Sequence, residues 1–252
     1  MTTPSRILAK PATYWRATRA PRYSLLFALP LLVLYEALAA ALSGGAAGGV
    51  RNGADVLLKA LLLHLAGPRG AEVVGLLVIV ACVWLVARDL RANRGGLRPS
   101  YFAGMLAESA ALALAFGFVV GVVTAQLLGA LTLLAVGATP ALGWWTQLMV
   151  SLGAGLYEEL VFRVLLVSAL AAGARTLLGW RPRSAGLAAA VVSAIVFSAF
   201  HYVGPYGDRL ELQSFLFRAV AGLFFSGLYL LRGFGITAWT HALYDVFLLL
   251  LQ

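Results

Sequence analysis

The chain has 252 residues, of which 62% are hydrophobic and 12% charged, and its mean hydropathy is +0.90. Soluble domains are about half apolar and a quarter charged, so this composition excludes a water-soluble globule and points to a protein of the lipid bilayer. The 19 basic residues outnumber the 10 acidic ones, but they fall in short clusters between apolar runs and not along one face, which argues against nucleic acid as a partner and reads as a topology signal.

A helix needs about 20 apolar residues to cross a hydrocarbon core of about 30 Å. In chain order, the pattern predicts a basic leader over 1–22 and a span over Tyr23–Leu42. A short interfacial or re-entrant helix follows over Ala54–Leu65, then spans over Ala71–Ala87 and Tyr101–Val123. A second short helix is expected over Ala125–Val136, and four further spans over Trp144–Ala172, Ala185–Val203, Phe215–Leu231 and Ile236–Leu251. Turn and breaker residues punctuate the series at Gly44-Gly45, Gly95-Gly96, Pro99, Pro140, Pro182 and Pro205. The expected fold class is therefore all-α, a polytopic transmembrane bundle of about seven spanning helices plus short interfacial helices. A single integral membrane domain covers 1–252, with N-terminal helices over 23–140 and core helices over 141–252. Cys82 is the one cysteine and lies inside an apolar run, so neither a disulfide framework nor a thiol ligand set is available.

Basic residues set the orientation. Arg6, Lys10, Arg16, Arg19 and Arg22 precede the first span, Arg88, Arg91, Arg94 and Arg98 follow the second, Arg175, Arg181 and Arg183 follow the fourth, and Arg232 follows the sixth. With seven alternating spans all of these share one side, while Arg51, Lys59, Arg69 and Arg209 on the other are nearly balanced by Asp55, Glu72, Asp208 and Glu211. The positive-inside rule then places the N-terminus in the cytoplasm, and the first span is expected to be retained as a helix, not cleaved as a signal peptide. Seventeen arginines against 2 lysines in an Ala/Leu/Gly-rich chain suggest a GC-rich genome, hence a bacterial cytoplasmic membrane.

Charges at membrane depth are costly, so each is a functional candidate. They concentrate in three spans: Glu158, Glu159 and Arg163 in the fourth, His201 in the fifth, His241 and Asp245 in the seventh. Glu36 and Glu108 stand alone in their spans and are expected to serve helix-end or interhelical hydrogen bonds. Glu159 and Arg163 are spaced i, i+4 with the acid first, which favours a helical ion pair. Glu158 points about 100° away on an α-helix, which leaves it free of that pair. His241 and Asp245 are also i, i+4, and Phe197 lies one turn before His201, where it can shield the imidazole from water. A buried ion network that serves helix packing alone is the competing reading.

The strings Glu158-Glu159-Leu-Val-Phe-Arg163, Phe197-Ser-Ala-Phe-His201 and His241-Ala-Leu-Tyr-Asp245 resemble, in order, the three motifs of the CPBP family of intramembrane proteases, which includes CAAX-processing and bacteriocin-processing enzymes. The resemblance covers about the C-terminal 110 residues and implies a peptidase acting on membrane-associated substrates near their C-termini. Other intramembrane chemistries lack their signatures: His-Glu-x-x-His is absent, Ser226-Gly227 follows Phe224-Phe225 and not a loop glycine, and neither Gly-x-Gly-Asp nor a P-loop occurs.

Peptide hydrolysis needs a base for water, donors for the oxyanion and a proton for the leaving amine. Glu158 is assigned the base, His201 the positioning or sharing of water, and His241 the oxyanion, with Asp245 fixing its tautomer and Glu159 with Arg163 holding the helix, while the resemblance leaves open a more direct role for Glu159. No cofactor is required in this scheme; zinc on His201 and His241 with a carboxylate is the rival. The expected partners are the lipid bilayer and a membrane-anchored protein or peptide substrate. A non-catalytic membrane immunity or scaffold protein is the alternative from another class, and a proton-coupled transporter is disfavoured because no inverted halves are visible. One count conflicts: at about 1.5 Å per residue, Glu158 and His201 lie about 20 to 25 Å from the cytoplasmic helix ends and His241 only about 8 Å. Their meeting requires either different helix ends or that the Arg232-Gly233-Phe234-Gly235 turn enter the membrane beside a water-filled cavity, which its glycines favour.

Overall fold

A computed structural model describes residues 13–44, 49–93, 96–129, 142–204 and 207–251. Arg6, Lys10 and Arg94 of the basic clusters, the breakers Gly45, Gly95, Pro140 and Pro205, and residues 130–136 of the second short helix lie outside them. The described residues form helices and connecting turns with no strand: α1 Tyr14–Thr18, α2 Pro21–Leu42, α3 Gly53–Ala92, α4 Pro99–Leu128, α5 Trp144–Leu177, α6 Pro182–Phe200, α7 Leu212–Arg232 and α8 Phe234–Leu250. The chain is a multi-pass membrane protein. Six of these helices, α2 to α7, are long and apolar enough to cross a bilayer, while α8, the expected seventh span, has 17 residues. Proline starts three of them, at Pro21, Pro99 and Pro182, where its missing N–H is no loss and its fixed φ suits the first turn.

The two expected elements, Ala54–Leu65 and Ala71–Ala87, follow one another within α3 as two helical stretches that meet at a break. Gly67 adopts φ 68°, a left-handed conformation open to glycine, and Pro68 follows without an N–H for the preceding turn. Beyond the bend, the apolar window of α3 buries nothing, so its Leu, Val and Ile side chains face outward, as lipid contact requires. Its far end is fastened where Asp89 accepts from the backbone N–H of Arg22 at 3.2 Å and faces the Arg22 guanidinium at 3.5 Å. Ala125 to Leu128, expected to open a separate short helix, instead complete α4, which closes at Gly129.

The short α8 is central, packing on α2, α4, α5 and α7. Small residues allow the close approach: a β-carbon on Gly155 of α5 would lie 2.6 Å from Ala242 Cβ, and one on Gly222 of α7 would lie 2.8 Å from Ala194 Cα of α6. Phe116, Phe225 and Tyr244 form one buried aromatic cluster, with Phe116 stacked on Phe225 at 4.5 Å between centroids. Leu31, Tyr35, Met149 and Leu156 belong to a second core between α2 and α5.

The α7–α8 turn is packed into the protein. Gly233 takes φ 82°, and the Gly235 N–H donates to Ser24 Oγ at 2.8 Å. Arg232 is buried, with Nε 2.5 Å and Nη2 2.8 Å from the two oxygens of Glu108, and it also donates to Trp15 O and Thr18 Oγ1. The short α1 thus covers the turn, and α8 starts inside the protein, where irregular backbone is tolerated. Arg22 and Arg232, read from sequence as topology signals, are pinned in ion pairs. Glu108 meets its expectation as an interhelical partner, as does Glu36, which accepts from Arg51 at 2.8 Å and from Tyr157 at 3.0 Å.

Candidate active site

Glu158, Glu159 and Arg163 come from the middle of α5, His201 from the residue after α6, and His241 and Asp245 from the second and third turns of α8. The structure brings the three motifs together. The middle of α5 is not α-helical: Ala154–Glu158 and Leu160–Val167 are π-helical, a form that recurs at functional sites. The wider turn changes the expected divergence of the two glutamates. Glu159 Oε1 lies 2.7 Å from His241 Nδ1, and Glu158 Oε2 lies 4.0 Å from His241 Nε2, so adjacent carboxylates flank the two nitrogens of one ring.

The ion pair expected between Glu159 and Arg163 is present, with Nε 3.1 Å from Oε2 and both side chains buried. The guanidinium also lies over the ring faces of Phe197, at 4.4 Å, and Phe225, at 5.5 Å, a cation–π placement that adds to the pairing of its charge. Glu159 therefore serves two partners at once, facing Arg163 with one oxygen and His241 with the other.

That bond corrects the part assigned to Asp245. Its Oδ2 is 3.8 Å from His241 Nε2, too far for a hydrogen bond, and Nδ1 is taken by Glu159. Glu159 holds the ring, because the π-helix turns its carboxylate toward α8. Asp245 stands on the Nε2 side, where Glu158 also is. The His241 ring stacks on Phe225 at 4.5 Å, which fixes its plane.

His201 ends α6 and is not within it. Its Nδ1 lies 2.9 Å from Phe197 O, which directs Nε2 toward Glu158 Oε2 at 3.9 Å. Phe197 packs edge-on against the imidazole at 4.8 Å, as the one-turn spacing anticipates. His201 and Asp245 have side-chain exposures of 25% and 27%, against 9% for Glu158 and 8% for His241. The first two therefore mark the open side and the second two the floor.

One contact had no sequence reading. Asn52, at the start of α3, donates from Nδ2 to Glu158 Oε1 at 2.9 Å. Its signal was faint: an asparagine before Gly53 reads as a turn or a helix cap, which it also is, since its Oδ1 accepts from the Ala54 N–H.

Oxygen and nitrogen donors could hold a cation here only at ligand distances. Ligands of a tetrahedral zinc with bonds of about 2.0 Å stand roughly 3.3 Å apart. The Glu158–His201 and Glu158–His241 separations are 3.9 and 4.0 Å. Among the described residues no group of three His, Cys, Asp or Glu side chains is placed to hold a metal ion.

Residues 140–247 match the family model described as Rce1-like, type II CAAX prenyl endopeptidase Rce1-like. All three motifs fall within the match. No curated protein and no solved structure matches the chain.

Proposed function

We propose, from the membership of residues 140–247 in the CPBP family of CAAX-type proteases, that this chain is an intramembrane endopeptidase in which Glu158 activates water. The observation that carries the reading is the position of Glu158 Oε2, 3.9 Å from His201 Nε2 and 4.0 Å from His241 Nε2 on a buried floor. Polar contacts of this length suit a water shared between the groups. Glu158 takes the proton of that water and His201 Nε2 orients it. His241, donating from Nδ1 to Glu159, acts in this scheme as the imidazolium, so that its Nε2–H faces the oxyanion, and Glu158 returns the proton to the leaving amine. Asp245, at the mouth beside Nε2, assists there.

No metal is needed for these steps. Zinc on His201 and His241 is the alternative; it would supply Lewis acidity and a bound hydroxide, and it requires the three groups to draw closer than they stand.

The family acts on protein substrates embedded in the membrane, and the bilayer is the common solvent of enzyme and substrate. We assign as substrate a membrane-anchored protein or peptide, cut near its C-terminus or anchor. The basic clusters favour a bacterial cytoplasmic membrane with the N-terminus inside. Comparison of membrane proteomes from cells carrying the wild-type or the Glu158→Gln chain tests the proposal. The wild type yields a C-terminally shortened product that the variant lacks; identical proteomes, together with no cleavage by the purified protein, favour a non-catalytic immunity or scaffold role.

A further inference from the structure

Asn52 lies outside the matched segment, in the N-terminal half of the chain. Its side chain is buried and held at both polar atoms, Oδ1 by the Ala54 N–H and Nδ2 by Glu158, each at 2.9 Å. Its backbone N–H donates to the Tyr35 hydroxyl at 3.2 Å, and that hydroxyl donates to the buried carboxylate of Asp55 at 2.8 Å. Asp55 is matched in turn by Lys59 at 2.7 Å and Arg51 at 3.4 Å, which both also face Glu36. α5 packs directly on this arrangement, because a β-carbon on Gly153 would lie 2.8 Å from Asn52 Cβ.

These bonds leave the amide one orientation. Its oxygen must face the start of α3, which turns its nitrogen to Glu158. Among the described residues no other side chain hydrogen-bonds Glu158. The hydrogen bond at Oε1 favours the rotamer in which Oε2 faces His201 and His241.

We propose that Asn52 is a positioning residue for the reaction, through which the N-terminal half aims Glu158 at the water it activates. The inference rests on Glu158 being the base. Asn52→Ser separates this part from helix capping, since serine keeps a capping oxygen but is too short to reach Glu158. Tyr35→Phe is the second variant: it releases the backbone of Asn52 and leaves its amide in place. The full chain in nanodiscs is assayed with a fluorescence-quenched peptide ending in a farnesylated CAAX sequence, and with the same reporter on an apolar helix.

In Asn52→Ser, kcat is expected to fall about 10- to 100-fold, the worth of one hydrogen bond to a charged group, while KM and melting temperature stay at wild-type values. Tyr35→Phe gives a smaller loss of kcat in the same direction. Wild-type kcat in Asn52→Ser overturns the inference, as does a loss of activity that tracks a lowered melting temperature in both variants. If Asn52→Ser does not fold, wild-type kcat in Tyr35→Phe overturns it alone. A Glu158→Gln chain that still cleaves, or a wild type that cleaves neither probe, refutes the underlying reading and the inference with it; a dead Glu158→Gln beside a fully active Asn52→Ser refutes only the inference.

Discussion

Glu159 bonds His241 across α5 and α8, Oε1 to Nδ1 at 2.7 Å, while its other oxygen faces Arg163 at 3.1 Å. One carboxylate thus ties the ring that faces Glu158 to the cation that braces the π-helical stretch. Truncating a member of a buried ion pair strands its partner, at a cost of about 3 to 5 kcal/mol. Glu159→Gln and Arg163→Ala are therefore expected to lower both cleavage and the melting temperature in detergent. An unchanged melting temperature in both would show that the pair is solvated.

Glu158 differs in kind, since its neighbours His201 and His241 stand about one water apart from it. Glu158→Gln preserves volume and can still meet Asn52, but it cannot accept a proton from water. Expected are loss of cleavage and near wild-type expression and thermal stability, measured on the same preparation. Turnover at the wild-type rate would remove Glu158 as base.

Asp245 makes no hydrogen bond to His241, so its charge is not needed to set the tautomer. Asp245→Asn is expected to keep measurable activity, because an amide can donate to an oxyanion and an ionised carboxylate cannot. Asp245→Ala loses most activity, and added zinc rescues neither variant. A dead Asp245→Asn that recovers with excess zinc, together with a wild type silenced by chelators, would favour the zinc site.

Arg232 and Glu108 fasten α1 and α4 to the turn that starts α8. Arg232→Ala leaves Glu108 without its cation and should cost about 3 to 5 kcal/mol, read as a fall in melting temperature with a matching loss of activity. A wild-type melting curve would show that the turn holds without α1.

Tyr14 donates to Glu108 at 2.7 Å, and its phenol is pushed up from its ordinary value by burial first and by that hydrogen bond second. An acid held above its unfolded value contributes stability that is complete below the ordinary tyrosine range, about pH 10, and lost as pH rises through it. The melting temperature should fall as pH passes about 10, and Tyr14→Phe should flatten part of that fall. Equal slopes in the two proteins would count against the bond.

The helices and the three motifs were legible because apolar run length and charge at membrane depth are one-dimensional properties. Glu158, His201, His241 and Asp245 could be gathered from spacing and resemblance before any contact was known. Phe197 beside His201 was legible too, whereas the hydrogen-bond partners of Glu158 and His241 were not. Counting 100° per residue separated Glu158 from Glu159, whereas the π-helix turns both toward His241, and no residue in Ala154–Val167 announces that change of pitch. Asn52 lies 106 positions from Glu158, and locally it needs no more explanation than the cap it makes at the start of α3.

The bend at Gly67 gives α3 two different masters. Beyond it, the apolar window buries no side chain and its Leu, Val and Ile residues face outward. Before it, the same helix begins at the amide that grips Glu158. Gly67 and Pro68 thus divide an outward-facing apolar stretch from the stretch whose first residues meet Glu158.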